Sequence, residues 1–556
     1  MLMATGTLVS RILGMVRNAL LVAAIGVNLV AANAFDVANK LPNILFALLA
    51  SGMLNSVLVP QIVRAYRTDR SQEIIDKLLT TATLLIAGLT AALTLASPLL
   101  VRLYIDDWTP AQTALAVTFA YWCVPQLFFY GLYTLLGQVL NAREQFGPYM
   151  WSPVVNNLIS IAGFIVFIQI YGGYDPAVTD DMSSWTGAKI ALLAGTATAG
   201  IVAQALVLLI PLYRSGFRWN LRFGVRGIGL RTAGHVALWT LAAGVLDQIG
   251  VLLITRIGSA AARVSGGALD VAGNSAYTNA LTLYLLPHSL ITVSIATALF
   301  TRISKSAAAD DLPAVRRDLS LGLRSIGLFT VFAAAVLMVL ALPLVLVTIP
   351  SAGPVQAVTV AHVLVAMAPG IVGLGGMVML RWVYYAFEDG RTVFLVQVPA
   401  TALLVGGAYL AQAKLPVHWW VAGIGAAMTV SGVLVVVGRL LIIKRHVGPF
   451  NLVPVALLHG KATLAALVAA AAGMGVVHLF GDIRSAGWFT AFAATAIGGV
   501  MMASVYLIVL RVLRTTELAA ALVPVLRRLT TLIGTKRVEQ LTRLLVGQTD
   551  SDVNPE

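Results

Sequence analysis

The sequence predicts an all-α polytopic membrane protein of about fourteen helices, two six-helix lobes followed by two further spans. Three observations predict it. The chain of 556 residues is 59% hydrophobic and 11% charged, too little polar surface to cover a soluble core of this size. Its apolar residues fall in runs of roughly 20, long enough to cross a hydrocarbon core of roughly 30 Å. Its basic residues gather in alternate loops between those runs, as membrane topology requires.

In chain order, spans are expected at 5–28, 32–65, 77–104, 111–141, 149–171 and 187–213 in the first lobe. The second lobe follows at 228–257, 273–302, 319–349, 356–387, 392–412 and 417–443, and the last two spans at 460–480 and 487–511. Pro125 in the fourth span and Pro287 in the eighth break long helices, which a membrane tolerates where neighbours or a cavity satisfy the freed backbone groups. This gives a lobe over 1–215, a second over 216–450, a terminal helix pair over 451–512 and a basic tail over 513–556. The tail reads either as an amphipathic helix on the membrane surface or as a loosely attached terminal helix, and QTDSDVNPE at its end as disordered.

Basic loops follow span two (Arg64, Arg67, Arg70, Lys77), span six (Arg214, Arg218, Arg222, Arg226, Arg231), span eight (Arg302, Lys305, Arg316, Arg317, Arg324) and span twelve (Arg439, Lys444, Arg445, Lys461). The intervening loops, IDDWTP and GGYDPAVTDDMSSW, are acidic. The positive-inside rule then puts both termini in the cytoplasm and requires an even number of spans. The net charge of +14 is thereby a topology signal and not a nucleic-acid footprint. The first apolar run has no basic segment before it and no A-x-A site, so it reads as a span and not as a cleaved signal.

An internal repeat supports the two lobes. LNAREQFGPYMWSPVVNNL and YYAFEDGRTVFLVQVPATALL each join a helix end, a glutamate (Glu144, Glu388), a polar turn and a new helix with an early proline (Pro153, Pro399). Six spans per copy give both copies one orientation, with a pseudo-twofold axis along the membrane normal and a cleft between them.

The charges inside the spans carry the functional argument. Counted from the helix start, Arg17 lies roughly 20 Å deep and Arg11 roughly 10 Å. Arg11 can snorkel to the interface or face a cleft. At the depth of Arg17, lipid exposure costs at least ~2.5–3.5 kcal/mol, so a hydrated cleft is the cheaper place. Asn33, Asp36, Lys40 and Asn43 recur at three- and four-residue steps, one polar stripe on the second span. Asp36 and Lys40 stand one turn apart, as a self-neutralising pair or as part of a binding face. The second lobe adds Asp247, as a cation or proton site or a packing residue, and Arg381, Tyr384, Tyr385 and Glu388 on one face of the tenth span. His288 follows the break at Pro287, and Asn274, Tyr277 and Asn279 read as helix-packing polar residues. The single cysteine, Cys123, excludes a disulfide framework and a cysteine-rich metal site. HExxH, GxSxG and GxxxxGK[ST] are absent, so hydrolase and ATPase classes have no support, and neither a metal nor a cofactor is called for. Arginine binds phosphate oxygens in a fork and stays charged when dehydrated, so a cleft with Arg11 and Arg17 suits a phosphorylated anion.

GTLVSRILGMVRNALLVAAIG followed by ANAFDVANKLPNILFALLASGMLNSVLVPQIVRAY resembles the start of the MurJ/MviN lipid II flippases of the MOP exporter superfamily, in a style similar to actinobacterial members. The S-R-[IV]-L-G-x-[VA]-R element and K-L-P-N followed by V-P carry the resemblance. It implies a transporter and not an enzyme, in the bacterial cell membrane. Its cargo would be the undecaprenyl-pyrophosphate-linked disaccharide-pentapeptide, carried from the inner to the outer leaflet for peptidoglycan synthesis. It implies a cationic central cavity to which Arg11 and Arg17 belong, and a lipid-tail groove on the last two helices, about 460–511. Coupling by Na+, H+ or the membrane potential is implied, with Asp247 the loose match to a seventh-helix acid. This sequence departs from the family pattern at Asn33, where the family has an acid and Asp36 lies one turn on. Further departures are NILFALL, which lacks a second-helix arginine, and Asn279–Ala280, which lacks an eighth-helix arginine; Lys40 or Arg381 would compensate. The implied partners are lipid II, membrane lipids and cell-wall or division proteins. Two other classes stand beside this one. One is a cation-coupled drug or polysaccharide-lipid exporter of the same superfamily, of which the drug/cation antiporter would want an acidic cavity. The other is a non-transporting membrane scaffold of the cell-wall machinery, which would leave the deep arginines without a role.

Overall fold

A computed structural model of the chain describes residues 2–49, 71–143, 145–175, 179, 181–224, 234–266, 268–515 and 517. Arg64, Arg67, Arg70, Glu144, Arg226, Arg231 and nearly all of the expected tail lie outside the described residues. Among the described residues every regular element is helical. In order these are α1 (Leu2–Ile25), α2 (Val30–Leu49), α3 (Ser71–Leu95), α4 (Ser97–Tyr104), α5 (Pro110–Cys123), α6 (Gln126–Ala142), α7 (Phe146–Tyr171), α8 (Gly187–Leu206) and α9 (Leu209–Arg214). There follow α10 (Gly234–Val264), α11 (Asn274–Pro287), a π-helical turn (His288–Thr292), α12 (Val293–Ala308), α13 (Leu312–Val339) and α14 (Ala341–Thr348). The chain continues with α15 (Pro354–Met367), α16 (Gly370–Ala386), α17 (Gly390–Lys414), α18 (Trp420–Val447), α19 (Val453–Leu479) and α20 (Trp488–Val512).

Among the described residues, eleven helices are long and apolar enough to cross a membrane, or twelve when the bent pair α15 and α16 counts as one. α1 and α2 are helical at the first two expected spans but are not in that set. The sequence repeat has a counterpart in helix lengths. α5 and α15 are both 14 residues and start on proline, α6 and α16 are both 17, and α4 and α14 are both 8. A proline stands in the break between α5 and α6 (Pro125) and between α15 and α16 (Pro369), and another sits inside each following long helix (Pro153, Pro399). Helix starts carry local signals. Thr109 and Gln112 form a capping box before α5, and the side chains of Thr186 and Asp311 accept N–H bonds that open α8 and α13.

Contacts group the chain into two compact units: Met1–Asn279 with Thr348–Val360 and Gly390–Ile424, and Ala280–Val347 with Ala361–Asp389 and Gly425–Glu556. This grouping cuts across the boundaries expected at 215 and 450. α10 packs on α2 and α17, which draws it into the first unit, and α19 packs on α13, which draws the last helices into the second.

In the first unit, Phe35 of α2, Phe119 of α5 and Trp185 meet edge to face at 5.4 and 5.3 Å. Small residues let the helices approach closely. A Cβ on Gly163 of α7 would stand 2.1 Å from the Thr196 side chain of α8, and one on Gly200 of α8 2.3 Å from Asn156. Cys123 is buried here, as a small hydrophobe would be. In the second unit, α13, α19 and α20 share a core of Leu328, Ala462, Ala465, Met502 and Tyr506, and the Tyr506 hydroxyl donates to the Leu328 carbonyl at 2.6 Å.

Candidate functional site: the polar faces of the first two helices

α1 is held against α7 by one face. Asn157 donates to the Ser10 carbonyl at 2.8 Å, and a Cβ on Gly6 would stand 2.8 Å from the Trp151 ring. Arg17 is seven residues after Ser10, so it returns to nearly the same face and enters the interior of the first unit. It is half-buried, with the Tyr130 hydroxyl of α6 as its electrostatic neighbour. Among the described residues no carboxylate lies within ion-pair reach of Arg17. Tyr130 in turn contacts Asn43 of α2, whose amide donates to the Asn39 carbonyl at 3.2 Å. Arg17, Tyr130 and Asn43 are thus brought together. Arg11, also half-buried, stands about a third of a turn round α1 from Arg17.

The stripe on α2 divides into two kinds of residue. Lys40 Nζ lies 2.5 Å from Asp36 Oδ2, with side-chain exposures of 21% and 12%. Asp36 also contacts Thr278, and Lys40 stands over the Tyr277 ring at 5.8 Å. Pro42 lies inside α2 without ending it. Asn33 is different. It is fully buried, its oxygen accepts the Ser275 N–H at 3.0 Å, and its amide donates to Leu29 and Asn28 carbonyls at 2.8 and 3.1 Å. Ser275 opens α11, whose first N–H groups have no partner within the helix, so Asn33 caps α11 from outside. With oxygen and amide both committed, it leaves the set of ligand candidates.

Other polar residues close the same region. Asn18 donates to Asn279 at 2.6 Å, and Asn28 donates to Leu269 O and Thr359 Oγ1 at 2.7 and 2.9 Å. Gln126 reaches Thr198 at 2.9 Å and Asn39 at 3.4 Å. Asn274 donates to Thr255 O and Ser259 Oγ, the packing role expected of it.

The sequence profile of a family described as "Lipid II flippase MurJ" matches residues 21–499. The chain belongs to the MurJ family. It is accordingly a multi-span membrane transporter of the MOP superfamily and not an enzyme. A "Probable lipid II flippase MurJ" of Rhizobium meliloti is 28% identical over 403 residues, covering 69% of this chain and 70% of that relative. Among solved structures, "Lipid II flippase MurJ, inward closed conformation" superposes with a TM-score of 0.67 at 18% identity, over 92% of this chain and 99% of that one. An inward-facing multidrug resistance MATE transporter of the MOP superfamily gives 0.62 at 15% identity, over 78% and 95%. At those identities the structures speak for the fold.

The remaining candidates of this MurJ chain fall elsewhere. Asp247 is exposed on α10 between exposed Val245 and Ile249. No group of three or more His, Cys, Asp or Glu side chains among the described residues could hold a metal ion. Arg381 is half-buried on α16 in the second unit. The face expected to link it to Glu388 is interrupted, because α16 ends at Ala386 and Glu388 takes a left-handed φ of 57°. Tyr384 is buried and donates to the Arg439 carbonyl at 2.7 Å, while Tyr385 is half-buried. Arg439, expected in the basic loop after span twelve, lies inside α18 at 2% exposure and donates to Met377 O at 2.8 Å. Position 439 already falls within the expected 417–443 span, and α18 runs on to Val447, so Arg439 is a helix residue whose guanidinium is held by the Met377 carbonyl and not by a loop. His288 begins the π-helical turn and is buried.

Tyr130, Gln126 and Asn28 were not singled out from the sequence. Each is one polar residue in an apolar run, and its signal emerges only when a neighbouring helix supplies the partner.

Proposed function

We propose that this chain flips lipid II from the cytoplasmic to the outer leaflet by alternating access, with Arg11, Arg17 and Lys40 neutralising the pyrophosphate. The observation that carries the reading is Arg17. It is half-buried on an interior-facing side of α1, with a phenol and an amide nearby and, among the described residues, no carboxylate in reach. A guanidinium held partly away from water with no carboxylate partner is stabilised by an anion that meets it. A doubly charged phosphate headgroup is such an anion, and the fork geometry of arginine suits its oxygens. Lys40 shares its charge with Asp36, so it can turn to an incoming phosphate at the cost of weakening one ion pair. Asn43 completes the proposed contacts to the headgroup. Cation or proton uptake at Asp247, or the membrane potential, biases the cycle. Both termini lie in the cytoplasm on the positive-inside rule.

The test is transport of fluorescent lipid II in proteoliposomes made with the Arg17→Ala variant. Flipping is expected to fall to background while the unfolding midpoint and reconstitution efficiency stay at the parent values, and Arg17→Lys should retain part of the rate. A parental rate in Arg17→Ala would overturn the proposal.

A further inference from the structure

The end of the first unit where α4 stops and α5 begins carries a cleft of about 620 Å³. Arg102, Asp107 and Arg256 stand on it, with Trp108, Pro98 and Val117 among its walls. Its frame is fixed by hydrogen bonds. The Trp108 indole donates to Ser259 O at 3.1 Å and the Ser259 hydroxyl to Tyr104 O at 3.1 Å, so the last turns of α10 are locked to the 104–108 turn.

Charge around the cleft is unbalanced. Asp106 is shared by two guanidinium groups, Arg256 at 3.1 Å and Arg263 at 3.6 Å. Among the described residues no carboxylate pairs with Arg102, and no cation pairs with Asp107. Three arginines against two aspartates leave a net positive rim, and each arginine keeps N–H donors to spare. Topology does not explain these cations. They sit at the far end of α3 from Ser71, beside the sparsely basic IDDWTP loop, where the positive-inside rule predicts few. Next to the rim, Leu95, Leu99 and Leu103 are exposed at 79%, 63% and 43%, a surface that suits acyl or prenyl chains. A cationic rim with an aromatic wall beside a hydrocarbon-facing surface matches an amphiphile with an anionic head.

We propose that this cleft binds the phosphate headgroup of an anionic lipid at the membrane face opposite the basic loops. Two sources share that chemistry: a bilayer phosphodiester lipid, and a prenyl-pyrophosphate lipid of the kind the proposed transport releases. The site uses residues separate from Arg11, Arg17 and Lys40, so it stands apart from the transport reading.

The experiment titrates full-length protein in neutral detergent with dioleoylphosphatidylglycerol, undecaprenyl pyrophosphate and dioleoylphosphatidylcholine, read by native mass spectrometry. All samples carry Arg17→Ala, so the proposed transport site contributes little. Adding Arg102→Gln and Arg256→Gln should weaken anionic-lipid binding about tenfold and leave the zwitterionic lipid unchanged. A loss confined to phosphatidylglycerol assigns the cleft to bilayer lipid. An equal or larger loss for undecaprenyl pyrophosphate assigns it to the released lipid class. Arg102→Lys, which keeps the charge but not the fork, should fall between. If the paired substitution unfolds the protein, Arg102→Gln alone is read, since it breaks no ion pair among the described residues. Unchanged anionic affinity in the folded variant overturns the proposal.

Discussion

Replacing Lys40 with methionine removes the partner that stands 2.5 Å from the Asp36 carboxylate. At an effective dielectric of about 20, unit charges at that separation attract by roughly 6–7 kcal/mol, most of it offset by the desolvation both groups suffer. Breaking a fully buried pair costs about 3–5 kcal/mol. The two side chains keep 12% and 21% exposure, so some water screens the orphaned carboxylate. The expected loss for Lys40→Met is therefore about 2–3 kcal/mol. Adding Asp36→Asn removes the stranded charge and keeps an amide beside Thr278, so the double variant should return to within about 1 kcal/mol of the parent. Stability is read from unfolding midpoints in detergent, and function from lipid II flipping in proteoliposomes. The stability loss and its recovery test the ion pair. The function assay tests the site: the double variant should be stable and still defective, because the cation meant for pyrophosphate is gone. A double variant that flips at the parental rate would show that Lys40 serves only Asp36, and the site reasoning would fail.

Three further outcomes are expected. Asn33→Ala strips the cap from the Ser275 N–H and should lower stability by about 1–3 kcal/mol, measured by thermal unfolding; no change would show that α11 needs no outside cap. Gly163→Leu forces a side chain into Thr196 across α7 and α8 and should cost about 1–3 kcal/mol or abolish membrane accumulation, whereas Gly172→Leu, which meets no neighbour, strains only its own positive-φ turn. Tyr506→Phe loses one buried hydroxyl bond and should lower stability by about 1 kcal/mol with flipping unchanged.

How much was legible in the sequence differs from residue to residue. The pairing of Asp36 with Lys40 followed from a four-residue step, because a helix fixes which side chains share a turn. The break at Pro125 and the prolines inside the following helices were equally local, and so was the helical repeat they mark. Asn33 marks the limit of spacing, which shows the face a residue occupies but not what fills that face. Its partner is 242 residues away in sequence. Arg439 was read as a loop charge because a basic residue near the end of an apolar run usually is one. Only the packing of Met377 and Tyr384 against α18 shows that its guanidinium has carbonyl company inside. The Tyr130 neighbour of Arg17 is not legible in the sequence, since nothing near position 17 announces a phenol from α6.

The broken helices at Pro125 and Pro369 have one more implication. Built to the same lengths, the first reads as a continuous 33-residue span while the second bends by 48°. Each joint lacks the amide proton of its proline, so the backbone bond that would resist flexing there is already missing. Motion through such a point would spend little energy on the backbone, so the resistance to reshaping either helix should come from its side-chain neighbours.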